Sequence, residues 1–304
     1  ALMRAQLVDT AARGEALAML GASETGIYGR FGYGVASRTR EVSVRTGGGW
    51  RTGAPVGGPV RMLAPDEIVS AQAYAHRSIA LARVGGMTRP DPWWAPVEER
   101  VRAREPVVAI VHTGRDGDDG FAMAVAEPGG TFDDRTLRVL DLHAADVEAA
   151  AGLWRFLFGI DLVRRVVAAE RPLDEPLDLL LQDPRDLAVT GEEDGTWLRL
   201  IDVPAALGAR SWAAGDVVLL GVHDRLLPQN AGVYRIGDGG VERVTGVVPE
   251  LECDVSALAM AYLGDRAPSR LAATGWWSAA DPGVLARADR VFATTTVPWC
   301  GTRF

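Results

Sequence analysis

Ser23 to Gly34 reads SETGIYGRFGYG, a turn dense in glycine and aromatic residues. Just upstream, Ala16 to Leu20 (ALAML) is a short apolar run with the pattern of a strand buried on both faces. Gly26, Gly29, Gly32 and Gly34 then interleave with Tyr28, Phe31 and Tyr33. Glycine at this density allows close approach of backbone to a ligand and φ > 0 where other residues are excluded. Among the aromatics, Tyr28 carries a phenol able to point into a site. A strand end opening into a tight turn is a common place for α/β proteins to put chemistry. Spacing alone fits equally a glycine-rich turn packed by its own aromatics.

The chain has 304 residues, 48% of them hydrophobic, enough for two or three cores of ordinary size. Its net charge of −8 argues against a nucleic-acid partner and favours a cationic ligand. Cys253 and Cys300 are too few and too far apart for a disulfide framework or a zinc site, so no metal is expected. There is no lysine, and Asn230 is the sole asparagine, which reads as the composition of a GC-rich genome. No apolar run approaches the ~20 residues of a membrane helix, so membrane insertion is not expected. The chain begins inside a helical pattern and is read as a fragment.

An α+β (mixed α/β) fold in three segments is predicted. Residues 1–46 read as a helix with Met3, Leu7 and Ala11 on one face and Gly14 as its stop, the buried strand, the turn, and a strand over Arg38–Arg45. Residues 47–191 begin with a glycine-rich linker, followed by a helix over Pro65–Arg83. A hairpin follows over Val107–His112 and Phe121–Ala126, then a strand (Leu137–Leu142), a helix (Asp146–Phe158) and a strand (Leu162–Ala169). Residues 192–304 read as a sheet covered by helices, with strands at Trp197–Val203, Val217–Val222 and a hairpin through Asp238–Gly240. His76, His112, His143 and His223 lack ligand spacing and are expected to be structural. The glycine clusters at Arg45–Gly49, Arg83–Gly86 and Arg235–Gly239 do not sit between a strand and a helix as a phosphate loop does. Trp93-Trp94 and Trp276-Trp277 are read as packing or interface aromatics.

SETGIYGRFGYG resembles the segment that carries the catalytic tyrosine in the enhanced intracellular survival family of GNAT acetyltransferases. ALMRAQL, at the start of the chain, is similar to the helix that follows that family's acetyl-CoA pyrophosphate loop. The end, Trp299-Cys300-Gly301-Thr302-Arg303-Phe304, resembles the family's closing segment, whose terminal phenylalanine brings its α-carboxylate into the active site. The resemblance spans the whole chain and is specific at both ends. It implies the C-terminal half of one GNAT domain at 1–46, a second GNAT-like domain at 47–191, and a sterol-carrier-like domain at 192–304 that delivers the C-terminus. In the second domain only His143-Ala144-Ala145 separates strand from helix. A pyrophosphate site needs a basic, glycine-rich loop there, so this copy is read as degenerate and non-binding. Acetyl-CoA as co-substrate, Ser23 and Glu24 along its channel, a trimer-based homo-oligomer (a hexamer) and a cytoplasmic location with export in some members complete what the resemblance implies.

Acetyl transfer to an amine needs a neutral amine, an acid for the leaving thiolate and donors for the developing oxyanion. A phenol of pKa about 10 holds its proton at neutral pH, which makes Tyr28 the candidate acid. A chain-terminal carboxylate of pKa about 3.5 is ionised there, which makes that of Phe304 the candidate base. The plainer readings are a core tyrosine tied to backbone, a packed inert tail, a turn-capping Ser23 and a solvated Glu24. The acceptor is expected to be a primary amine on a small cationic molecule (aminoglycoside-like or a polyamine) or on a lysine side chain. Family members that acetylate polycationic antibiotics carry an acidic residue where this chain has Arg303, which repels a second ammonium. The rival readings are a lipid carrier and a non-catalytic scaffold. As a fragment, the chain by itself is expected to be inactive and not to gain melting temperature with acetyl-CoA.

Overall fold

A computed structural model describes residues 2–129 and 134–304. In chain order its first strands are β1 (Leu17–Leu20), β2 (Gly34–Val35), β3 (Arg38–Arg45), β4 (Val60–Met62) and β5 (Val107–Gly114). Next come β6 (Gly117–Glu127), β7 (Arg135–Ala144), β8 (Val163–Arg171), β9 (Leu187–Asp194) and β10 (Trp197–Leu200). The last are β11 (Val217–His223), β12 (Gly232–Gly237), β13 (Gly240–Val244), β14 (Leu251–Asp254) and β15 (Trp277–Ala279). The helices begin with α1 (Leu2–Ala12), α2 (Thr25–Tyr28), α3 (Ile68–Ser78), α4 (Ala95–Arg102) and α5 (Val147–Phe158). They end with α6 (Leu177–Leu180), α7 (Val203–Gly208), α8 (Val255–Tyr262), α9 (Pro268–Ala273) and α10 (Gly283–Phe292). None of the described helices is long and apolar enough to cross a membrane.

The chain divides into two compact units. The first holds residues 1–38, 194–298 and 303–304; the second holds 39–193 and 299–302. In the first unit β10 lies between β1 and β2, antiparallel to both, with Leu17 opposite Leu200 and Trp197 opposite Val35. A five-stranded sheet follows in the order β13-β12-β11-β14-β15, with β11 and β14 parallel. Leu220, Tyr234, Ile236, Leu258, Val291 and Phe292 join its strands to α8 and α10 in one apolar cluster. Helix α1 buries Leu7, with Met3 and Ala11 beside it, and stops at Gly14 in the left-handed region (φ 75°). The Glu15 N–H then donates to Thr10 O and that of Gly14 to Ala11 O, the pairing of a Schellman stop.

The second unit is built on a seven-stranded sheet in the order β4-β5-β6-β7-β8-β3-β9. In it β7 and β8 are parallel neighbours, crossed over by α5, which packs Leu153, Trp154 and Leu157 into the sheet. Asp146 caps α5, its carboxylate accepting from Ala149 N–H at 2.9 Å.

Several sequence expectations change. β1 is half-buried, not enclosed on both faces, because it is an outer strand of its sheet. The strand expected over Arg38–Arg45 forms and pairs with β8 in the seven-stranded sheet, a partner that its own stretch of sequence does not indicate. The strand expected over Trp197–Val203 ends at Leu200, since Asp202 caps α7 through Ala205 N–H. The helix expected over Pro65–Arg83 runs only from Ile68 to Ser78 before a 3-10 turn at Ala80–Ala82.

The turn glycines split in two. Gly32 has φ 83° and sits so close to Arg199 that an added Cβ would meet its Nε at 2.7 Å. Gly34 takes an ordinary conformation, but a Cβ there would lie 2.1 Å from the Ser256 carbonyl oxygen at the start of α8. Gly26 and Gly29 face open space at ordinary φ. Gly34→Ala is therefore expected to cost about 2 kcal/mol through overpacking against backbone. Gly26→Ala should change stability by less than about 0.5 kcal/mol. Urea midpoints of the two variants check this, and equal losses would contradict it.

Candidate functional site

In the first unit Ser23 and Glu24 are exposed at the carboxyl end of β1, and Tyr28 closes α2. The Tyr28 ring is half-buried, edge-on to Tyr33 at 6.1 Å and tilted against Trp197 at 6.3 Å. Its hydroxyl has no hydrogen-bond partner among the described residues, so the tyrosine is not tied to backbone. Tyr33 differs: it is 2% exposed, and burial pushes its phenol up, with the Arg199 guanidinium pulling the other way. Of the two phenols beside this turn, Tyr28 is the accessible one.

The turn rests on a buried polar network that the sequence reading missed. Arg199, in β10, is fully buried and donates Nε to Phe31 O at 2.9 Å and Nη1 to Leu200 O at 2.7 Å. Its Nη2 reaches both Asp224 oxygens, at 2.8 and 2.7 Å. Asp224 also accepts the N–H groups of Leu226 and Leu227 at 3.0 Å and Asn230 Nδ2 at 2.9 Å. Asn230 in turn bonds Ile201 O and Val203 N, and its carbonyl accepts the Tyr234 hydroxyl. The sole asparagine is thus a buried structural hinge pin, not only a mark of composition. A charged residue inside an otherwise apolar WLRL strand was the available signal.

Phe304 also belongs to the first unit. Its main chain lies against Gly21, where an added Cβ would be 2.6 Å from the terminal Phe304 oxygen. The chain terminus therefore sits at the end of β1, in the same unit as Ser23, Glu24 and Tyr28. The Phe304 ring is 39% exposed, whereas the Trp299 and Cys300 side chains are buried.

The second unit holds a buried polar group of its own. Asp141, in β7, accepts Gln72 Nε2 at 2.6 Å and Arg89 Nη1 at 3.1 Å, and lies 2.8 Å from His143 Nε2. Burial opposes its charge, yet His143 and Arg89 hold its carboxyl well below the usual range. His76 stacks edge-on to Trp94 and His143, and its Nε2 bonds Met87 O at 2.9 Å. Trp94 is thus interior, not an interface aromatic; of the other pair, Trp277 is buried and Trp276 is 49% exposed. His112 bonds Gly58 N–H and Asp119, and His223 pairs with Glu252 at the surface. No cluster of three or more His, Cys, Asp or Glu among the described residues could hold a metal.

Residues 1–36 and 85–200 each match the acetyltransferase (GNAT) domain family, and residues 203–301 match the sterol carrier protein domain family. An uncharacterized N-acetyltransferase of Streptomyces coelicolor is 34% identical over 98% of this chain and 75% of its own length. N-acetyltransferase Eis of Mycobacterium tuberculosis is 34% identical over 92% of this chain and 70% of its own length. The crystal structure of Eis1 from Mycobacterium abscessus superposes with a TM-score of 0.88 at 35% identity, covering 100% of this chain and 77% of that one.

His76 sets a pH dependence in the second unit. Burial, then the Arg89 charge, lowers its pKa from 6.5 to about 4; His143 pushes the same way, and Met87 O and Asp141 pull back. A His depressed in the fold takes up its proton more readily when unfolded. Its stabilising contribution is whole above pH 6.5 and is lost as pH falls toward 4. His76→Gln should lower stability at pH 7 and show a shallower decline between pH 6.5 and 4. Urea titrations across that range test this, and parallel declines would contradict it.

Proposed function

Because the chain belongs to the Eis family of GNAT N-acetyltransferases, we propose that it moves acetyl from acetyl-CoA to a primary amine, with Tyr28 as acid and the Phe304 α-carboxylate as base. The observation that carries this reading is the terminal oxygen of Phe304 against Gly21, in the unit that holds Tyr28. Acetyl-CoA supplies the acetyl group as a thioester, and Ser23 and Glu24 occupy the positions that the family resemblance assigns to its channel. The carboxylate takes a proton from the ammonium form of the acceptor, directly or through water, leaving a neutral nucleophile. Tyr28 then gives its phenolic proton to the departing thiolate, and the proton shed by the new amide nitrogen restores the phenol. The free Tyr28 hydroxyl supports the donor role.

The acceptor is a primary amine on a small cation or on a lysine side chain. Arg303, next to the terminus, selects against acceptors with a second ammonium close to the first, which weighs against aminoglycosides. The family resemblance also supports a trimer-based homo-oligomer. A lipid-carrier role is disfavoured because Tyr234, Phe292, Leu258 and Val291 fill the layer between sheet and helices.

The test is thiol release from acetyl-CoA by the full gene product with a panel of amines, beside a fluorescent-lipid titration. Lipid binding without thiol release would overturn the proposal. Tyr28→Phe keeps the ring contacts and removes the donor, and should cost on the order of 10²-fold in kcat with an unchanged melting temperature. Extending the chain by a few residues past Phe304 displaces the carboxylate and should cost about as much. An extended enzyme that turns over at the native rate would remove the carboxylate from the mechanism.

A further inference from the structure

In sheets with parallel strands, ligands settle in the crevice beyond the carboxyl ends of the strands. β7 and β8 form that crevice in the second unit: their pairing runs from Arg135 opposite Val163 to Val139 opposite Ala168. Beyond it Asp141, Leu142, Glu170 and Arg171 face the chain's own Trp299 and Gly301, which complete the lining of a small gap there.

The fit is detailed. The Trp299 indole N–H donates to Glu170 O at 2.6 Å, and its backbone N–H donates to Val84 O at 2.8 Å. The ring is flanked by the Arg171 guanidinium at 5.0 Å and that of Arg83 at 5.7 Å, with the His143 ring at 5.3 Å. Glu170 holds φ 55°, a conformation that a non-glycine residue takes only under constraint. Gly85, at φ 92°, lies against the Trp299 backbone, where a Cβ would come within 3.2 Å. The Arg83–Gly86 cluster, which resembles a phosphate loop in sequence, is thus one wall of an indole slot. Gly301, at φ 62°, folds back so tightly that a Cβ would touch the Trp299 ring at 2.8 Å. Arg89, its side chain only 8% exposed, then donates to Gly301 O and to Thr302 Oγ1, at 2.9 Å for the latter, while Asp141 steadies it.

The anion position that a pyrophosphate would need is also taken. The N-terminus of α5 is capped by the Asp146 carboxylate, with Glu148 in the first turn bonding Gly57 N–H. Two negative charges stand where an anion would bind, so the residues present do not fit acetyl-CoA.

We propose that this crevice is a receptor for the chain's own segment 299–302, reading Trp-x-Gly-Thr, and that the second acetyltransferase domain serves to hold the tail in place of a cofactor. Each position has its reader: Glu170 O for an indole N–H, the folded backbone for glycine, and Arg89 for the hydroxyl. The proposal stands apart from any role of the Phe304 carboxylate.

The test is digestion of the 304-residue chain with carboxypeptidase Y, followed by intact mass. The native chain should lose at most Phe304 and Arg303 and then stall at Thr302. Arg89→Leu should be trimmed past Trp299 at least tenfold faster. Because Arg89 is buried, Trp299→Phe and Thr302→Val provide a second arm: they alter the ligand and leave the receptor intact, and each should also speed trimming. A fluorescent peptide VPWCGTRF should bind Trp299→Ala chain and not the native chain, whose slot is filled, and a Trp-to-Phe peptide should bind at least tenfold more weakly. Equal trimming of native and ligand-side variants, or no peptide binding to Trp299→Ala, would overturn the proposal.

Discussion

The buried pair of Arg199 and Asp224 is the interaction on which the first unit turns. A guanidinium in the middle strand of a three-stranded sheet has no access to water, so every donor must find an acceptor in the protein. Asp224 takes the charge, Leu200 O takes a second donor, and the carbonyl of Phe31 takes the third. That last bond fixes the far side of the turn bearing Tyr28 and leaves room at residue 32 for a hydrogen and nothing larger. Such pairs add little net stability compared with apolar residues of the same volume, yet losing one partner strands a charge. Here the network fixes a conformation: Asp224 and Asn230 bring the loops before β12 to the same point as the turn.

In the second unit a comparable arrangement serves a different end. Asp141 is shared between Arg89, Gln72 and His143, and Arg89 spends its remaining donors on the tail. A parallel strand pair that separates at its carboxyl ends leaves backbone groups needing partners. The Trp299 indole satisfies one of them at Glu170. The geometry that suits an acetyltransferase fold to a ligand is met in this unit by a peptide segment. The family membership and the loss of an anion site at α5 are thereby compatible.

Much was legible in the sequence because it depends on neighbours along the chain. Local apolar pattern placed α5, and short apolar runs bounded by turn residues placed β5, β6 and β11. The start of α5 at Asp146 was legible because a cap acts within one turn of helix, whereas the cap at Asp202 lay hidden inside a stretch that reads as strand. Motifs at both ends were legible for another reason: a glycine whose Cβ would strike Ser256 O, or a terminal segment with a fixed docking, leaves few permitted residues. Tyr28 and Phe304 were singled out through the family resemblance that those motifs carry, not through any local rule.

Local pattern and the two end motifs were therefore enough for the class of fold, most of its elements, its family and the residues to suspect. Tertiary structure alone decided which elements share a sheet. β3 pairs with β8, more than a hundred residues away, and β10 inserts between β1 and β2, because strand pairing depends on distant backbone that leaves no trace in local pattern. It also decided which of the four turn glycines are required, why Asn230 and Arg199 matter, and what Arg83–Gly86 encloses. Each of these rests on a contact across long stretches of chain, where a single donor, carbonyl or missing Cβ settles the outcome, and such contacts exist only once the chain has folded.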